Sequence, residues 1–136
     1  MKFTTHFVQK IISEDFSYGK SLVGDKGEKI ITNGGYIDVQ HQTQYSPRKQ
    51  SVVDFVVDEN QRGKGIGDKL LKHAKQRYSD LGGQVSSLAS LKVFHKNGFR
   101  NPGIGDKGFD DHIKAFHENG GSLFMAMNDH EGKPYA

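Results

Sequence analysis

Six residues, Arg62-Gly63-Lys64-Gly65-Ile66-Gly67, place two cations among three glycines, just after an apolar run and just before an amphipathic one. Such a stretch can bind an anion. Glycine lets backbone approach a ligand closely, and a helix start aims unpaired N–H groups outward. Arg62 and Lys64 add charge, although Lys64 reads equally well as a solvated loop lysine. Two phosphate patterns are excluded. Gly67 is followed by Asp68, and Gly19-Lys20-Ser21 has Glu14 where a P-loop needs its first glycine. The dinucleotide pattern G-x-G-x-x-G fails because Gly63-x-Gly65 meets Asp68 at its last position. A second candidate is Asp54, the only charged residue in Val52-Val53-Asp54-Phe55-Val56-Val57. It lies either on an open strand face or in a site.

The apolar run predicts a buried strand ending at Val57, with a polar turn over Asp58–Gln61. A helix is expected from Asp68, with Leu70, Leu71, Ala74, Tyr78 and Leu81 at three- and four-residue steps and Gly82-Gly83 as its stop. Upstream, Phe3–Val8 reads as a strand, and 11–22 as a short helix interrupted by glycine. Lys29–Thr32 and Tyr36–Val39 flank Asn33-Gly34-Gly35, a hairpin signal because Asn and Gly tolerate positive φ. His41–Lys49 is a polar connection. Downstream come a strand over Gln84–Leu88, a helix over Ser90–Asn97 ended by Gly98, a helix over Asp110–Glu118, a strand over Ser122–Met127 and a loose tail from His130. GIGDK occurs twice, at Gly65–Lys69 and Gly103–Lys107. The second copy lacks a leading strand and reads as coincidence.

The chain has 136 residues, enough for one domain spanning 1–136 with its own core. The formal net charge is +3, a small excess spread along the chain, which does not require a nucleic-acid partner. The absence of cysteine excludes disulfides, a thiol nucleophile and thiolate zinc sites. His112 and His117 are five apart, off one helix face, so no metal site is expected. No signal peptide and no membrane-length apolar run is present, so the expected location is cytoplasmic.

Arg62-Gly63-Lys64-Gly65-Ile66-Gly67 follows R-x-x-G-x-G after a strand, and so resembles the pyrophosphate-binding loop of the GNAT superfamily of acetyl-CoA-dependent N-acetyltransferases. A second feature lies at Ser87–Phe99, where many members carry N-x-x-A-x-x-L-Y-x-K-x-G-F. Lys96, Gly98 and Phe99 match. Ser87, Ser90, Val93 and Phe94 replace the usual Asn, Ala, Leu and Tyr. The order of elements also matches, so the expected fold is α/β (α+β): a single GNAT-like domain with a central mixed, mostly antiparallel sheet flanked by helices.

The resemblance implies transfer of the acetyl group of acetyl-CoA, the co-substrate, to a primary amine: a small amine, a protein lysine or a protein N-terminus. No metal is implied. The main chain of Phe55, Val56 and Val57 would pair with the pantetheine arm, a peptide N–H there would stabilise the oxyanion, and Arg62–Gly67 would cradle the pyrophosphate. Ser87 would contact the pantetheine or a water, unless it is only a helix cap. Val53–Val57 resembles a segment of polyamine acetyltransferases whose aspartate faces the amine. A free aspartate carboxylate is a weak base, so Asp54 would hold the amine by charge. Phe94, in the cofactor-contacting tyrosine position, cannot protonate the departing thiolate. His95 beside it either does so or faces away. The short segment Gln9–Glu28, where the acceptor site is usually shaped, favours a protein acceptor or a homodimer that completes the pocket. The compact size also resembles small acetyltransferases of tailed phages. The alternative is a GNAT-fold module that binds CoA or a protein partner without turnover.

Overall fold

The computed structural model describes residues 15–21, 26–41 and 48–135. The expected strand Phe3–Val8 lies outside them, as does most of the connection after His41. Among the described residues six strands form one sheet in chain order: β1 (Ser17–Lys20), β2 (Gly27–Thr32), β3 (Gly35–His41), β4 (Gln50–Val57), β5 (Leu81–Val85) and β6 (Leu123–Ala126). Helices α1 (Ile66–Arg77), α2 (Leu88–Lys96) and α3 (Phe109–Glu118) complete it. All neighbours pair antiparallel except β4 and β5, which run parallel, so the sheet is mixed and mostly antiparallel as expected.

The β2–β3 hairpin turns on Asn33-Gly34, with Thr32 opposite Gly35 and Gly34 at φ 102°. Only glycine holds that conformation cheaply. Helix α1 buries Leu70, Leu71 and Ala74 against Ile30, Ile37 and Val39 of the hairpin. On the other side of the sheet's midline, Leu91, Phe94, Phe99, Leu81 and Met125 fill the space between α2, β5 and β6.

Ser17–Lys20 is a strand, paired with Glu28–Ile31, within the segment 11–22 whose sequence also admits a short helix interrupted by Gly19. Three expectations are corrected. Helix α1 starts at Ile66 and ends at Arg77, because Tyr78 is extended at φ −123°. Gly82 and Gly83 lie inside β5, so they do not end a helix, and the strand covers Leu81–Val85 in place of Gln84–Leu88. A Cβ on Gly82 would fall 2.9 Å from Phe124 Cζ, and one on Gly83 would fall 3.0 Å from Val52 Cβ. Those glycines allow neighbouring chains to approach. Finally, the tail is tied down as far as Tyr135, whose N–H donates to Met127 O at 3.2 Å. Asn128 bridges Pro134, and the Asp129 carboxylate accepts from the N–H groups of Glu131 and Lys133, both at 2.9 Å.

Candidate active site

The site is built by a slip in β4. Along most of its length β4 pairs with β3, from Gly35↔Val57 to His41↔Gln50, but Asp38 faces Asp54 while Val39 faces Val52. Val53 is therefore one residue too many, a β-bulge. The bulge reverses which way the later N–H groups point. Gln50 N–H donates across to Asp80 of the β5 side at 3.1 Å, whereas Asp58 N–H donates back to Gly34 of the β3 side at 2.7 Å. In an unbroken strand two residues of equal parity would point the same way. After the slip, Val56 turns its main-chain groups to β3, and Phe55 and Val57 turn theirs to the far edge.

That far edge is open among the described residues. Gln50, Ser51 and Val52 pair with Leu81, Gly82 and Gly83, and the register stops there. Beyond it β5 runs on to Val85 without a β4 partner, and the gap in pairing between Phe55–Val57 and the start of α2 is the candidate ligand cleft. Its floor is aromatic. Phe94 is 1% exposed, with its ring edge-on to Phe55 at 6.0 Å and to Phe99 at 5.0 Å. Phe94 thus supports Phe55 from the core, with almost no surface left for a ligand.

The loop Arg62–Gly67 stands at the end of the cleft. Gly63 and Gly65 adopt φ 81° and 79°, and a Cβ on either would meet no described atom within 4 Å. Lys69 N–H makes the first helical bond, to Gly65 O at 3.0 Å, so the N–H groups of Ile66, Gly67 and Asp68 precede the helix ladder. Gly67 differs from the other two. Its Cβ would point inward, 3.6 Å from Phe55 and Val57 and 3.9 Å from Val93. Arg62 Nε donates to Val57 O at 3.4 Å and braces the loop against the strand, while Lys64 is exposed. The pieces fit an extended ligand that ends in phosphates: an open strand edge, then backbone donors at a helix start with cations beside them.

Asp54 is partly buried on the sheet face opposite α1, with Asp38 directly across from it. Its Oδ2 accepts from the Tyr36 hydroxyl at 2.7 Å, and that bond holds the phenol above its ordinary range. Sequence reading missed Tyr36, because only the β3–β4 register brings it to Asp54. Asn97 was missed too. It ties α2 to the first turn of α1 through Asp68 at 2.9 Å. Ser87 is the N-cap of α2: its Oγ accepts from Ser90 N–H at 3.1 Å, in a capping box with Ser90. The His95 ring lies on Phe109 and His112 of α3, at 5.3 and 4.9 Å, so it is directed to α3 and not to β4. No group of three or more potential metal ligands occurs among the described residues, and no described helix is long and apolar enough to cross a membrane.

The family model of the Acetyltransferase (GNAT) domain matches residues 17–101. In structure the chain is similar to the IAA acetyltransferase from Bacillus cereus ATCC 14579, with 23% identity, 75% of this chain and 77% of that chain covered, and a TM-score of 0.52. It is also similar to ElaA of Escherichia coli, with 15% identity, 79% and 72% covered, and a TM-score of 0.53. No curated protein matches it in sequence.

Proposed function

The chain belongs to the GNAT acetyltransferase family, and on that premise we propose that it moves the acetyl group of acetyl-CoA to a primary amine held at Asp54. The observation that carries this reading is the open edge of β4 beyond its bulge, which leads through the turn Glu59–Gln61 to the Arg62–Gly67 loop. Acetyl-CoA supplies the activated acyl group. The chain's own residues bind and orient. Phe55 and Val57 offer main-chain groups along the pantetheine arm, and the loop N–H groups with Arg62 and Lys64 receive the pyrophosphate. A backbone N–H fixed at the strand edge favours charge growing on the carbonyl oxygen, because its dipole is already aligned when reaction begins. Asp54, partly buried and held at Oδ2 by the Tyr36 hydroxyl, puts a carboxylate on the acceptor side. That suits an acceptor arriving as ammonium, which gives up a proton before its nitrogen attacks.

The reading is tested by thermal denaturation with and without acetyl-CoA, followed by turnover with a panel of amines. Saturation at about a hundred times the dissociation constant adds about 2.7 kcal/mol, a shift of several degrees. No shift at millimolar acetyl-CoA would sink it. Phe94 favours a second reading, a module that binds CoA without turnover, since neither its ring nor His95 offers a proton at the cleft. A thermal shift without turnover on any amine would select that one.

A further inference from the structure

The Phe55 N–H, which the open edge turns toward a ligand, already has an acceptor. It donates to Oδ1 of the preceding residue, Asp54, at 3.0 Å. Oδ2 of the same carboxylate takes the Tyr36 hydroxyl at 2.7 Å. Tyr36 is itself steadied by Lys29, whose Nζ lies 4.3 Å from the ring centroid. Asp54 is thus held at both oxygens, one by a side chain across the sheet and one by the donor that an acetyl carbonyl would need.

A carboxylate is a stronger hydrogen-bond acceptor than a thioester carbonyl. While Asp54 caps the N–H, a carbonyl in the cleft has no donor behind it. A protonated amine changes the competition, because it offers the carboxylate a full charge and several donors. We propose that Asp54 caps the Phe55 N–H until a cationic amine docks on the carboxylate, and that release of this N–H to the acetyl carbonyl couples acceptor binding to transfer. The proposal rests on the acetyl-transfer reading and adds to it an order of events. The ammonium draws Oδ1 away while Tyr36 keeps Oδ2, and Tyr36 is therefore a positioning residue. The amine then loses its proton to water and its nitrogen attacks. The C–N bond forms, the C–S bond breaks with its electron pair on sulfur, and the proton left on the new amide nitrogen passes through water to the thiolate. Without acceptor, attack by water, giving acetate and free CoA, proceeds against an unsupported carbonyl and is slow.

The test uses the full chain with Asp54→Ala, Asp54→Asn and Tyr36→Phe. The first readout is the Phe55 amide proton by NMR. It should lie downfield in the wild type and move upfield in Asp54→Ala, and also when the wild type is given millimolar n-propylamine. The second is acetyl-CoA affinity, which should tighten about tenfold in Asp54→Ala as the N–H becomes free. The third is hydrolysis of acetyl-CoA without amine, which should rise in Asp54→Ala while transfer to n-propylamine falls. Asp54→Asn keeps an acceptor oxygen on the N–H but loses the pull on ammonium, so it should lose transfer without gaining hydrolysis. Tyr36→Phe should raise KM for the amine more than it lowers kcat. If the wild type binds acetyl-CoA and transfers, yet Asp54→Ala leaves the Phe55 signal, affinity and hydrolysis unchanged, the cap is wrong and acetyl transfer stands. If the wild type binds no acetyl-CoA, both fall together.

Discussion

The Asn97 side-chain amide donates to Asp68 Oδ1 at 2.9 Å and to Val93 O at 2.8 Å, locking the end of α2 onto the first turn of α1. The helix start that would receive phosphate is therefore fixed from the opposite side of the cleft. Asn97→Ala takes the donor from Asp68 at a site 6% exposed, while Val93 O keeps the main-chain N–H of residue 97 at 3.2 Å. The expected loss is about 1–3 kcal/mol, measured by urea denaturation.

The same bond shapes the acid limit. Lys72 first, then Asn97 against the opposing effect of burial, hold the Asp68 carboxyl below the usual carboxylate range. A depressed carboxyl stabilises the fold above its unfolded pKa of about 3.9, and that contribution is lost as pH falls through the folded value. Stability plotted from pH 6 to pH 2 should therefore fall less steeply below about pH 4 in Asp68→Asn than in the wild type.

Histidine sets a separate limit nearer neutrality. Burial first, then Arg100 and His112, hold the His95 imidazole below its ordinary value, and burial does the same for His73. The unfolded chain then binds more protons than the folded one, so stability is full above about pH 6.5 and erodes as pH falls through the folded values. His95→Asn should reduce that slope in thermal melts between pH 7.5 and 5. An unchanged slope would assign the whole effect elsewhere.

The three loop glycines should not behave alike. Alanine at Gly63 or Gly65 must hold a left-handed conformation, costing about 1–2 kcal/mol at each. Its Cβ also projects on the side where no described atom lies, so acetyl-CoA binding should weaken as well. Alanine at Gly67 meets only ordinary contacts at 3.6 to 3.9 Å and gains up to about 1 kcal/mol in helix preference. Melts of the three variants with and without acetyl-CoA should show Gly67→Ala keeping the ligand-dependent shift.

Phe94→Ala should cost about 3–5 kcal/mol in urea denaturation, the range for emptying a fully packed aromatic site. It removes the support behind Phe55, so any remaining acetyl-CoA affinity should fall with it. A near-neutral result would mean that the ring is not the floor of the cleft.

Much of this was legible locally. Asn33-Gly34 specifies its turn by backbone chemistry, and Val52–Gly67 announces strand, loop and helix by periodicity and glycine placement. The Gly82-Gly83 pair misled, because a helix stop and a close approach of chains use the same residue. Only Val52, Arg48 and Phe124, distant in sequence, distinguish the two. The Val53 bulge left no local mark either. Register is a property of two strands, so neither the Tyr36–Asp54 bond nor the outward turn of Phe55 could be read from β4 alone. Ser17–Lys20 carries a glycine and too little apolar periodicity to announce a strand, and its pairing with β2 decides the matter.

The parallel pairing that ends at Val52↔Gly83 has a mechanical consequence. Among the described residues three residue pairs make the strand ladder between β1–β4 with α1 and β5–β6 with α2 and α3, beside the Asn97–Asp68 bond and the shared core. A molecule lying in the cleft would touch both halves at once and act as a clasp. Its binding should then slow amide exchange not only at the loop but throughout β5 and β6, whose opening must break that ladder. In that sense the ligand would be a further strand of the sheet, bridging two halves that already share one apolar core.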